Sequence, residues 1–177
     1  MTWASKGPFR LPDVAVVLIT YNHETFIAES INSVSRQEYP GNIHVIVSDD
    51  CSTDQTQKVI KETISDMPPN VIVHPILREQ NVGGLRNLTE AWESANGTGS
   101  AYIALLEGDD YWTDARKLAL QVSYMEEHPR STLSFGLATE PVSYTHLRWR
   151  SSAPSRASGC LRFSSSYLRE SAAMVLR

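Results

Sequence analysis

The chain has 177 residues, 41% of them hydrophobic and 20% charged, with a net charge of −4. That length predicts one domain with a sizeable core, and the weak acidic balance excludes nucleic-acid binding through bulk electrostatics. No stretch approaches the roughly 18 apolar residues of a membrane helix, and the cysteines Cys51 and Cys160 make no disulfide framework.

Met1 to Pro12 lacks the apolar run of a signal peptide, so a reducing cytoplasm is the expected compartment. Asn87-Leu88-Thr89 and Asn96-Gly97-Thr98 match the glycosylation sequon, and without a secretory signal both read as chance. Charge is unevenly spread. Residues 1–141 carry a net −9, whereas residues 142–177 carry a net +5 with nine serines and no Lys, Asp or Ile. The break fits a flexible basic arm, a truncated coding sequence, or a damaged or junction-derived stretch within 141–165.

In chain order, Val14 to Thr20 is a continuous apolar, β-branched run, the pattern of a strand buried on both faces. Glu24 to Gln37 has helical spacing, with Phe26, Ile27, Ile31 and Val34 on one face. Tyr39-Pro40-Gly41-Asn42 stops it, and Ile43 to Ser48 is a second strand ending at Asp49-Asp50. Cys51-Ser52-Thr53-Asp54 is a turn rich in capping residues, with Asp54 the expected cap of a helix running to about Ser65. A third strand, 70–76, precedes the loop Asn81-Val82-Gly83-Gly84 and a helix over 85–96 with Leu88, Ala91 and Trp92 inward. A fourth strand, 101–106, runs into Glu107-Gly108-Asp109-Asp110-Tyr111-Trp112. Thr113 or Asp114 is expected to cap a helix ending near His128-Pro129, and 131–137 reads as a fifth strand. The alternation predicts a three-layer α/β/α sandwich with a mostly parallel sheet.

The carboxylates after the fourth strand are crowded at the end of a buried segment, where they repel one another and lose hydration. A divalent cation relieves both costs, because hard metals take carboxylate oxygens. The alternative is an acidic turn capping the next helix. Polar clusters at Thr20-Tyr21-Asn22, Asp49-Asp50 and Asp109-Asp110 all follow strands, so alternation puts them on one edge of the sheet. In open α/β sheets that edge is where ligands bind.

The succession Val-Val-Leu-Ile-Thr-Tyr-Asn, Val-Ile-Val-Ser-Asp-Asp-Cys-Ser-Thr-Asp, Asn-Val-Gly-Gly-Leu-Arg-Asn and Glu-Gly-Asp-Asp-Tyr-Trp resembles family 2 glycosyltransferases of the GT-A fold, over about residues 13–137. The resemblance implies a nucleotide-sugar-binding domain over 13–138, with 139–177 an atypical tail or incomplete acceptor region. It implies sugar transfer from a nucleotide diphosphate sugar, UDP-linked as first choice, to a saccharide or lipid-linked acceptor, with Mn²⁺ or Mg²⁺. Peripheral membrane association at the inner face would accompany a lipid-linked acceptor.

Residue by residue, Ile19, Thr20 and Tyr21 would hold the nucleoside, the Tyr21 ring being suited to stacking or to packing on the first helix. Asp50 would accept from the base ring N–H, and Asp49 would join it or order the loop. Gly84 would let backbone approach the ligand, and Arg86 would pair with phosphate or form an i, i+4 ion pair with Glu90. Asp109 would meet the ribose or a metal-bound water, and Asp110 the metal. Glu107 replaces the first Asp of the family's Asp-x-Asp-Asp form, and Trp112 is assigned to the core or to the sugar pocket. Cys51 reads as a small packing residue. The expected general base lies downstream, where Glu140, Glu170 and His146 match no family motif. A donor-binding remnant without transferase activity is therefore the competing reading. The absence of glycine in Tyr21-Asn22-His23-Glu24-Thr25-Phe26 argues against a dinucleotide-binding Rossmann dehydrogenase.

Overall fold

A computed structural model describes residues 10–136 and 174–176. Strands β1 (Val14–Thr20), β2 (Ile43–Asp49), β3 (Val71–Leu77), β4 (Tyr102–Glu107), β5 (Leu133–Phe135) and β6 (Met174–Leu176) form one sheet in the order β3-β2-β1-β4-β6-β5. β1 pairs in parallel with β2 and β4, and β2 with β3. β6 runs antiparallel between β4 and β5, so the sheet draws on the chain beyond residue 138. The stretch 141–165, along with Glu140, His146, Cys160 and Glu170, lies outside the described residues.

The helices are α1 (Ile27–Ser35), α2 (Thr56–Thr63), α3 (Gly84–Gly97) and α4 (Lys117–Glu127). Alternation along β1 sends Val14, Val16 and Leu18 to one face, where they meet Ile31 of α1, Ile60 of α2 and Val122 of α4. Ala15 and Val17 turn to the other face, against Ala91 and Ala95 of α3. Three layers result, as expected. Each fully buried Leu, Ile or Val contributes ~1.5–3 kcal/mol, and β1 and β2 bury four such side chains each. The small Ala91 and Ala95 let α3 approach the sheet closely.

The β1→β2 and β2→β3 crossovers use the α1/α2 face, whereas β3→β4 uses the α3 face. The chain thus reverses direction across the sheet at β1, and the crevice beside its carboxyl end is the place such folds bind ligands.

Two helix starts differ from expectation. α1 begins at Ile27 rather than Glu24, because residues 22–24 are bonded into the loop after β2. α4 begins at Lys117 rather than beside Thr113, because Asp114 spends its carboxylate on the Arg116 N–H and side chain. Asp54 does serve the start of α2, accepting from the Thr56 N–H at 2.9 Å. Its carboxyl pKa is lowered: burial raises it, but the bonds from Thr56 and Glu24 together outweigh that.

Candidate donor-binding site

The loops after β2 and β4 are clamped to the end of β1 from either side. Asp50 N–H donates to the Thr20 carbonyl at 3.1 Å, and Gly108 N–H donates to the Ile19 carbonyl at 2.9 Å. This closeness demands glycine at 108: a Cβ there would lie 2.6 Å from Thr20 Cβ and 2.9 Å from His23 Nδ1. The Glu-Gly-Asp-Asp sequence is therefore set partly by what Thr20 and His23 leave room for.

Between the two loops lies a cavity of about 510 Å³. Ile19, Thr20, Tyr21, Asp50 and Gly84 line it, with His23, Asn87 and Glu107. Tyr21 is 44% exposed, so its ring is available to a ligand. Asp50 is 3% exposed, and its carboxylate accepts from the Val82 N–H at 2.8 Å and the Gly83 N–H at 2.9 Å. Each oxygen keeps a second lone pair. Asp50 thus shapes the glycine loop as well as facing the cavity.

Asp49 behaves differently. It is fully buried, accepting from the Ser52 N–H at 2.9 Å, from the Ser52 hydroxyl, and from Gln57 Nε2 at 2.7 Å. It orders the turn and is not part of the cavity lining. That turn carries Cys51 at φ +62° and is joined to the β1 loop: Asn22 (φ +57°) accepts from the Thr53 N–H at 2.8 Å, and Glu24 from the Gln55 N–H at 2.8 Å.

Beside the cavity, carboxylate oxygens of Glu107, Asp109 and Asp110 lie within 4.8 Å of one another. Three anions this close repel by about 1–3 kcal/mol per pair, between the dielectric of water and that of a protein surface. The donor set is all hard oxygen, partly buried and wide enough for a cation, and so fits Mg²⁺ or Mn²⁺. Buried Ser30 of α1 sits beneath this loop, its hydroxyl 3.0 Å from the Gly108 carbonyl and also within reach of the Asp110 carbonyl.

Arg86 is 69% exposed and pairs with Glu90 at 2.6 Å. This is the i, i+4 pair, and it lines a hollow of about 700 Å³ on α3 that adjoins the cavity at Gly83 and Gly84. The hydrogen bond to Glu90 raises the Arg86 pKa, and the bond from Arg86 lowers that of Glu90. Glu90 also holds Arg78 at 2.7 Å, and Arg78 Nε donates to Asn87 Oδ1 at 3.0 Å. Asn87 in turn accepts from Ser48 Oγ at 2.6 Å and donates to the Ser48 carbonyl at 3.0 Å. Trp112 is a core residue at 3% exposure.

The structure therefore gathers Ile19, Thr20, Tyr21, Asp50 and Gly84 around one cavity and sets Asp109 and Asp110 beside Glu107 at its flank. Asp49 is turned into the Ser52–Gln57 network, and Arg86 lies on the adjoining hollow, paired with Glu90. Ser30, His23, Arg78 and Asn87 went unassigned in the sequence: the partners of Ser30 and Asn87 are remote along the chain, Arg78 lies outside any motif, and His23 follows the first motif as a lone loop histidine.

Sheet order, reversal point and acidic strand ends define the class: an α/β fold of the GT-A glycosyltransferase type. The description "Glycosyl transferase family 2" matches residues 15–172, and the chain belongs to that family. The match continues through most of the stretch whose composition breaks.

The uncharacterized protein Rv1520 of Mycobacterium tuberculosis is 39% identical over 122 residues, covering 69% of this chain and 34% of that protein. The putative teichuronic acid biosynthesis glycosyltransferase TuaG of Bacillus subtilis is 33% identical over 118 residues, covering 66% of this chain and 43% of its own. Among solved structures, residues 1–349 of Staphylococcus aureus TarS in complex with UDP superimpose with a TM-score of 0.60 at 27% identity. That alignment covers 77% of this chain and 38% of TarS 1–349. The chain thus spans about a third of the length of the first of these relatives. No helix among the described residues is long and apolar enough to cross a membrane.

Proposed function

We propose that this chain supplies the donor half of a hexosyltransferase of cell-envelope polysaccharide synthesis. It takes a sugar from a UDP-linked donor, with Mn²⁺ or Mg²⁺, for an inverting transfer to a saccharide or lipid-linked acceptor. The observation that carries this reading is the cavity lined by Tyr21 and Asp50, flanked by the three-carboxylate cluster. TarS in complex with UDP and the teichuronic acid assignment of TuaG support the donor and the setting.

Tyr21 offers a ring face to the base, and the spare lone pairs of Asp50 offer acceptors to its ring N–H. Thr20 and Ile19 form the floor at the end of β1. Asp110, with Asp109 and Glu107, would hold the metal. A bound divalent ion supplies charge stabilisation for the departing nucleoside diphosphate. The chain's own residues fix the carboxylate cluster: Ser30 and the Gly108 backbone bond hold the loop from below and from the side.

A thermal-shift panel of UDP, GDP, CDP and dTDP, each with and without Mn²⁺, tests the reading. A rise with UDP that requires Mn²⁺ is the expected result. No shift with any nucleotide would refute it. Nucleotide binding without sugar transfer would instead favour the donor-binding remnant.

A further inference from the structure

We propose that His23 binds the diphosphate of the donor, its Nε2–H donating to a phosphate oxygen between the nucleoside end of the cavity and the carboxylate cluster. This deepens the functional reading above and rests on it. Four observations place His23 there.

The ring lines the same cavity as Tyr21, Asp50 and Glu107. Among the described residues lining that cavity, His23 is the one with a basic side chain. Arg86, for which the sequence left a phosphate contact and an ion pair with Glu90 both open, is paired with Glu90 and lines the adjoining hollow. A donor lying across this cavity brings two or more negative charges, so an N–H donor in its lining has a clear use.

The ring is also oriented. Nδ1 lies 3.2 Å from Thr20 Oγ1. In the direction where the Thr20 hydroxyl donates, Nδ1 is the acceptor and the proton resides on Nε2, which is then a donor. No described residue bonds to Nε2, and it is not among the buried unpartnered atoms. The backbone is fixed as well: His23 N–H donates to Thr56 Oγ1 at 2.9 Å, and its carbonyl accepts from Phe26 and Ile27 at the start of α1.

Finally, the ring packs over Gly108, where a Cβ would approach Nδ1 to 2.9 Å. The absence of a side chain at 108 is what lets an imidazole sit beside the residues that flank the metal cluster. A merely loop-forming residue would need neither the ring nor its Thr20 partner, since the backbone bonds suffice.

The experiment is isothermal calorimetry of UDP and of uridine, each with Mn²⁺, on wild-type protein, His23→Ala and His23→Gln. Circular dichroism confirms folding of each variant. The expected result is roughly tenfold weaker UDP binding by His23→Ala, with uridine affinity within about twofold of wild type. His23→Gln, which keeps an N–H donor of similar reach, should recover part of the loss. Equal weakening for UDP and uridine would show that His23 only shapes the pocket, and unchanged UDP affinity would show that it touches no phosphate. Either overturns the inference while leaving the donor site intact. Wild-type protein that binds no UDP at all would overturn the functional reading and this inference together.

Discussion

Gly108→Ala probes how tightly the carboxylate-cluster loop is packed on β1. The added methyl carbon would stand 2.5 Å from Thr20 Oγ1 and 2.6 Å from Thr20 Cβ. A relaxed carbon–carbon contact is about 3.5–4 Å, so roughly 1 Å of movement is required. Thr20 cannot supply it, being 3% exposed and paired to β2 at the end of the central sheet. The β4 loop must lift instead, stretching the Gly108 N–H bond to Ile19 and disturbing the Ser30 contacts. Overpacking of this kind costs about 1–3 kcal/mol. For a chain of this size that lowers Tm by about 2–4 °C per kcal/mol. Urea denaturation and differential scanning calorimetry read the loss directly. Gly84→Ala is the control, because nothing lies within 4 Å of its would-be Cβ, and it should be neutral or stabilising by about 0.5–1 kcal/mol. A Gly108→Ala protein as stable as Gly84→Ala would refute the packing argument.

Cys51 holds φ +62°, a conformation that costs a side-chain-bearing residue ~1–2 kcal/mol, so Cys51→Gly should raise the urea midpoint despite greater chain entropy. Asp50→Asn replaces an acceptor with an NH₂ that faces the Val82 or Gly83 N–H, and should cost ~1–3 kcal/mol while weakening UDP binding, both measurable on one preparation. His74 is held below its usual pKa of 6.5 by burial and then by His44, whose Nδ1 lies 3.1 Å from His74 Nε2. The unfolded chain therefore binds more protons between the two pKa values, and stability falls as pH drops below about 6.5. His74→Gln should flatten the stability–pH curve between pH 7 and 5, and an unchanged slope would contradict the assignment.

The elements were legible where a local pattern determines them. β1 matched its expected span because seven apolar or β-branched residues in a row suit only a strand covered on both faces. The second and fourth strands were found likewise, and with them the edge that gathers Thr20, Asp50 and Asp110. What the sequence could not show was side-chain commitment. Asp49 and Asp50 are adjacent, yet pleating and the following turn send one into the Ser52–Gln57 network and the other to the cavity. Arg86 was expected to choose between phosphate and Glu90, and the ion pair is what forms. His23, in the loop before the first expected helix, and Ser30, within that helix, carried no assigned role. Ser30 takes its role from the carbonyls of residues 107–110, far along the chain, and His23 from Thr20, three residues before it, and from the space over Gly108.

A donor site at the β1 edge requires nucleotide and metal to bind cooperatively there. Electron paramagnetic resonance of Mn²⁺, which registers the free ion, measures it directly when Mn²⁺ is titrated with and without UDP. In the wild-type protein UDP should tighten Mn²⁺ uptake by tenfold or more, and Asp110→Ala should abolish that gain. Uptake that is indifferent to UDP, or undiminished in Asp110→Ala, would contradict it.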